Sequence, residues 1–172
     1  YTDDRDLYDY LSGVYCQGGE REFDWDFMAS VFEQPFQVVL TGQVPQTKDA
    51  PKAIGGHLEG CRIGFDAGGS DRKVSAVVDG ETVFSEEVVW FPKVNADPDY
   101  HYEGIVAALK SAAEHMPRVD AVGVSSAGVF INDRTMRASL FLQVPPDLYD
   151  AKGKDIDIRA IRATFGDVPS AV

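Results

Sequence analysis

The stretch that most constrains this chain is Ile63-Gly64-Phe65-Asp66-Ala67-Gly68-Gly69-Ser70-Asp71-Arg72-Lys73-Val74. It reads as a strand, a glycine turn holding an acid and a hydroxyl, and a second strand. Such a turn brings backbone N–H groups close to a nucleotide phosphate, while a carboxylate at the strand end handles the accompanying magnesium. Gly68 and Gly69 matter in that role because a Cβ would obstruct close approach. The competing reading is a tight hairpin in which Asp66 only accepts backbone hydrogen bonds, since Asp-x-Gly-Gly by itself recurs by chance. The surrounding elements must decide between them.

A chain of 172 residues fits one domain with an appendage, and buries roughly 70% of its unfolded surface on folding. Hydrophobic residues make up 44% and charged residues 26%, with a mean hydropathy of -0.19, which places the chain among ordinary globular proteins rather than disordered or membrane ones. No apolar run approaches the roughly 20 residues of a spanning helix, and no charged-then-apolar leader opens the sequence, so a cytoplasmic protein without a membrane partner is expected. The net charge of -12 and pI near 4.5 argue against a nucleic-acid partner, because phosphate neutralisation needs clustered Lys and Arg. An anionic ligand must therefore be held locally. Cys16 and Cys61 have no neighbouring His or second Cys at metal-ligand spacing and read as unpaired thiols in a reducing compartment.

Residues 1–60 are acidic, with seven Asp and four Glu against four Lys and Arg, and form an extension to which the sequence assigns no role. Within them a helix is expected over 24–32, a short strand over 36–40 and a loop over 42–56. From Cys61 the pattern sharpens. Strands are expected over 63–66, 73–78 and 82–90, the last two joined by the hairpin signal Asp79-Gly80-Glu81. Asp97-Pro98 then supplies an N-cap and a first-turn proline for a helix carrying Tyr102, Ile105, Leu109, Ala112 and Met116 at helical spacing, ended by Pro117.

A mostly apolar strand over 119–124, of the kind buried in parallel pairing, runs into a second small-residue turn, Ser125-Ser126-Ala127-Gly128. Ligands gather at such carboxyl ends in open α/β sheets. Residues 129–131 and 136–142 read as extended around Asn132-Asp133-Arg134, a final helix is expected over 155–165, and a new strand begins near Val168. The opening Tyr and that unfinished strand suggest a piece of a longer protein.

Gly64 to Lys73, the Asp79-Gly80 hairpin, the helix from Pro98 and the strand entering Ser125-Ser126-Ala127-Gly128 together resemble the amino-terminal lobe of the sugar kinase, heat-shock 70 and actin superfamily. The resemblance is closer to the ROK group and the glucokinases. That family carries a phosphate motif of the form D-x-G-G-T, matched by Asp66-Ala67-Gly68-Gly69-Ser70 with Ser in place of Thr. It implies an α/β, ribonuclease H-like domain over 61–172 with a central mixed sheet of about five strands flanked by helices.

It also implies an ATP-dependent sugar kinase, with ATP and Mg2+ as cofactors and a sugar as the second ligand; a homodimer is an open alternative for its assembly. Asp66 is then the magnesium-side carboxylate, acting through water. Gly68, Gly69 and Ser70 meet the β- and γ-phosphates, Lys73 offsets charge, and Ser126, Ala127 and Gly128 border the sugar. Asp71 departs from the pattern, standing where many ROK kinases carry Lys. The catalytic base, an Asp in an Asn-Asp segment after the next strand, is expected beyond Val172, so residues 61–172 would not phosphorylate by themselves.

Two rivals remain open: a sugar-sensing or scaffold protein that keeps the fold without catalysis, and, third, an ATPase activator of a CoA-linked reductase. His57, His101 and His115 read as surface or partly packed rather than metal-binding. Phe23-Asp24-Trp25-Asp26-Phe27 reads as a solvated helix start, and Ser125 and Ser126 lack the frame of a nucleophile elbow.

Overall fold

A computed structural model describes residues 1–47 and 55–172 and divides the chain into two compact units, Tyr1–Ala53 and Ile54–Val172. The first holds two helices, α1 (Arg5–Val14) and α2 (Glu22–Phe32). α1 starts where the Asp4 carboxylate accepts the Leu7 N–H at 2.9 Å, an N-cap that the sequence reading passed over. The expected strand over 36–40 does not form. Thr2 and Leu40 make one isolated bridge, and the apolar run between has no neighbouring strand to complete its ladder. Of the expected loop, residues 42–47 and 55–56 are irregular, and 48–54 lie outside the described residues.

The second unit is built on a mixed five-stranded sheet. Its strands are β1 (Cys61–Ala67), β2 (Asp71–Val78), β3 (Glu81–Val89), β4 (Ala121–Ser126) and β7 (Ser170–Ala171), in the order β3-β2-β1-β4-β7. β1, β2 and β3 form an antiparallel meander, while β4 runs parallel to β1 and β7 parallel to β4. The β2–β3 turn needs positive φ twice, and Asp79 at 49° and Gly80 at 86° supply it. Parallel β1 and β4 require a crossover, which is α3 (Pro98–Ala113), capped by Asp97 accepting the Asp99 N–H at 2.9 Å. α3 stops at Ala113, ahead of Met116 and Pro117, and Met116 still packs on the core.

A hairpin of β5 (Gly128–Ile131) and β6 (Arg134–Ala138) follows, with Asn132 and Asp133 both at positive φ in its turn. The expected extension to residue 142 fails because Ser139–Phe141 coils into a 3-10 turn that buries Leu140 and Phe141. A short helix α4 (Pro146–Leu148) and a π turn lead into α5 (Ile156–Phe165). α3 and α5 flank the sheet and pack on each other. Ile63, Phe65, Ala67, Val74, Ala76 and Val122 point into the resulting core, against Ile105, Leu109, Ile156 and Ile161. Among the described residues no helix is long and apolar enough to cross a membrane.

Candidate functional site

Strand alternation decides what β1 shows to either side. Cys61, Ile63, Phe65 and Ala67 are buried, so Arg62, Gly64 and Asp66 take the opposite face. Register then lines up two rows across that face. Asp66 stands opposite Lys73 of β2 and Ser125 of β4, with Glu87 of β3 beyond Lys73. One pleat away, Gly64 stands opposite Ser75 and Gly123, with Ser85 beyond. The small second row leaves a cleft of about 590 Å³ over this face, with Asp66, Lys73 and Ser125 along its edge. The Ser125 hydroxyl donates to Asp66 Oδ1 at 2.7 Å, which fixes the carboxylate beside the cleft.

The turn between β1 and β2 closes with two of its own amides unused. The Gly68 N–H faces the Asp71 carbonyl at the end of the β1–β2 ladder, while the N–H groups of Gly69 and Ser70 make no hydrogen bond among the described residues, which leaves two consecutive donors past the carboxyl end of β1. The carbonyls of the turn are held instead. Trp90 is 2% exposed; its indole Nε1–H donates to Gly68 O at 2.7 Å and its backbone N–H to Ser70 O at 3.1 Å. Holding the Gly68 carbonyl turns the Gly69 N–H, on the same trans peptide, away from Trp90, a start toward an anion-binding nest.

The two glycines of the turn differ in what they meet: fixed backbone at Gly68, and the flexible end of an exposed lysine at Gly69. A Cβ on Gly68 would collide with the Asp71 carbonyl, and one on Gly69 would collide with Lys93 Cε and lie 2.5 Å from its Nζ.

Asp71 has its charge met locally. Lys73 Nζ donates to Asp71 Oδ1 at 2.5 Å, and the Ser70 hydroxyl donates to Oδ2 at 3.2 Å. The Lys73 ammonium holds the Asp71 carboxyl below its ordinary range, with help from Ser70, and Asp71 in turn raises Lys73. Glu87 Oε1 lies 3.9 Å from the same ammonium.

No protein-family model and no curated protein sequence matches this chain. Among solved structures it is similar to a candidate sugar kinase from Cytophaga hutchinsonii, at 18% identity and a TM-score of 0.48, over 64% of this chain and 35% of that one. A candidate N-acetylmannosamine kinase from Listeria monocytogenes gives 19% identity and a TM-score of 0.44, over 64% of this chain and 34% of the other. The chain thus spans about a third of the length of these structures.

Of the predicted residues only Asp66 and Lys73 line this cleft; Gly68, Gly69 and Ser70, and Ser126, Ala127 and Gly128, do not. The Ser126 hydroxyl donates to Ala67 O at 3.0 Å and ties the end of β4 to β1. Gly128 opens β5, where a Cβ would collide with the Arg137 carbonyl, so close pairing in the β5–β6 hairpin accounts for that glycine. His101, expected at the surface or partly packed, is fully buried: Nε2 lies 3.0 Å from both Pro92 O and Leu140 O, and Nδ1 3.0 Å from Asp97 O. It sits at the first turn of α3, which the core covers on that side. His115 stacks on Phe84 with ring centres 3.9 Å apart.

Among the described residues no group of three or more His, Cys, Asp or Glu is placed to hold a metal. The sequence reading missed two neighbours of the turn, Trp90 and Lys93. Trp90 was visible only as a strand end, although a tryptophan next to a proline-bearing turn is a signal for a buried anchor.

Proposed function

We propose that residues 61–172 are the amino-terminal lobe of a ROK-type, ATP-dependent sugar kinase, transferring a phosphoryl group from Mg-ATP to a sugar hydroxyl in the cytoplasm. The antiparallel meander joined in parallel to β4 and β7 supports the ribonuclease H-like reading of the sheet. One observation carries the functional reading: two unengaged amides, at Gly69 and Ser70, follow closely on a carboxylate, Asp66, that Ser125 holds in place. Free N–H groups in sequence suit phosphate oxygens, and their fixed direction means little reorganisation on binding.

Magnesium, when bound, draws the phosphate oxygens together and neutralises their charge. A lone carboxylate with one oxygen already engaged fits a hydrated ion, since magnesium keeps several of its waters. Lys73 offsets charge in this reading by neutralising Asp71, so that the acid of the turn does not repel the ligand. Ser126, Ala127 and Gly128, at the end of the neighbouring strand, border the sugar.

The test is isothermal titration of the chain with Mg-ATP, wild type against Asp66→Ala. Loss of the carboxylate is expected to weaken binding about tenfold or more, the scale of a charge-assisted contact. Equal affinity in the two proteins would remove Asp66 from the site.

A further inference from the structure

Lys93, which lies outside the phosphate motif, places its amine against Gly69, one of the two residues whose amides stay free. β3 ends at Val89, Trp90 tucks under the turn, and Pro92–Val94 form a single 3-10 turn that returns Lys93 over Gly69. The backbone leading to it is held from two sides. Trp90 is bonded to Gly68 and Ser70, as described; on the α3 side, the Phe91 N–H donates to the Tyr100 hydroxyl at 2.9 Å, and Pro92 O lies 3.0 Å from buried His101. The Lys93 side chain therefore leaves from a fixed base, and its terminal carbon and amine pack on the Gly69 Cα that the missing side chain exposes.

Charge separates the two lysines. Lys73 lies between Asp71 and Glu87, a trio of net negative charge, so it contributes no surplus positive potential to a phosphate. Lys93 is exposed and makes no ion pair or hydrogen bond among the described residues. The potential that favours an anion at this turn comes from the amides and from Lys93.

We propose that Lys93 is the phosphate-contacting cation of the Gly68-Gly69-Ser70 turn. The inference rests on the reading of the turn as a triphosphate site. An ammonium on a flexible stem has only to swing from Gly69 onto an oxygen held by the neighbouring amides, and it acts there as a point charge.

Titration of the intact chain with Mg-ATP tests this in wild type, Lys93→Gln, Lys93→Arg and Lys110→Gln, the last on an exposed position of α3. Lys93→Gln is expected to weaken binding about tenfold or more, while Lys93→Arg and Lys110→Gln stay within about fivefold of wild type. The melting temperature of Lys93→Gln should not move, because the side chain is exposed. Wild-type affinity in Lys93→Gln, or an equal loss in Lys110→Gln, would overturn the assignment of Lys93 and leave the phosphate site standing. Absence of Mg-ATP binding by the wild type would overturn the phosphate reading, and this inference with it.

Discussion

Asp157 lends itself to a quantitative test. It is the second residue of α5 and only 6% exposed, with the Thr135 hydroxyl 3.4 Å from Oδ2. Burial pushes its carboxyl up to about 6 from an ordinary 3.8, against the opposing effect of the Thr135 hydrogen bond. The folded protein therefore holds this proton more tightly than the unfolded chain. The resulting stability is complete below about pH 4, declines as the pH rises toward 6, and is gone above that. Roughly two pH units at about 1.4 kcal/mol each give about 3 kcal/mol over the whole window. About 2 kcal/mol of it falls between pH 4.5 and 7.5.

Asp157→Asn keeps the shape and cannot ionise. Urea unfolding of both proteins across that range, followed by circular dichroism, isolates the effect. Asp71 and Asp120, whose carboxyls are lowered by Lys73 and Arg118 respectively, are present in both and cancel in the difference. The variant should gain about 2 kcal/mol on wild type between pH 4.5 and 7.5. A difference that stays flat with pH would refute the reasoning, because a solvated carboxylate would then occupy the position.

Two further substitutions probe how the turn is supported. Gly104→Ala gains up to about 1 kcal/mol of helix propensity, but its Cβ would lie 2.9 Å from Trp90 Cε3 and Cζ3. Displacing that packed ring costs about 1–3 kcal/mol, so a lowered melting temperature is expected, and an unchanged or raised one would show that Trp90 yields freely. Trp90→Phe removes the indole donor to Gly68 O and strands a carbonyl. A loss of about 1–2 kcal/mol is expected by urea unfolding followed with circular dichroism, together with weaker Mg-ATP binding, and unchanged stability would mean that the Gly68 carbonyl finds water instead.

Much of the domain around the turn could be read from residue order because the forces there are local. The alternation Ile63, Phe65, Ala67 against Gly64, Asp66 sets which face of β1 carries the acid, and Asp79-Gly80 specifies its turn by backbone conformation alone. Asp97-Pro98 starts α3 for equally local reasons. The run over 36–40 shows where this reasoning fails: five residues of good strand character stay irregular because a strand exists only with a partner, which no local pattern reveals. The helix α1 is the opposite case, a local signal present in Asp4, Leu7, Leu11 and Val14 but passed over.

The glycine pair belongs to both categories, and its place in the site turns on the difference. That Gly68 and Gly69 mark a turn is a local property. What excludes a side chain at Gly68 is the Asp71 carbonyl three residues on; what lies over Gly69 is nonlocal, a lysine from beyond β3, brought back because Trp90 is apolar enough to bury and carries an N–H that must find an acceptor. A motif read as room for a ligand is thus already filled on one side by the protein's own cation, while the amides on its other side stay free. The same tryptophan that completes the core therefore turns the Gly69 amide away from itself and sets Lys93 beside it. Core packing and anion affinity at this turn should fail together in Trp90→Phe, and separately in Lys93→Gln.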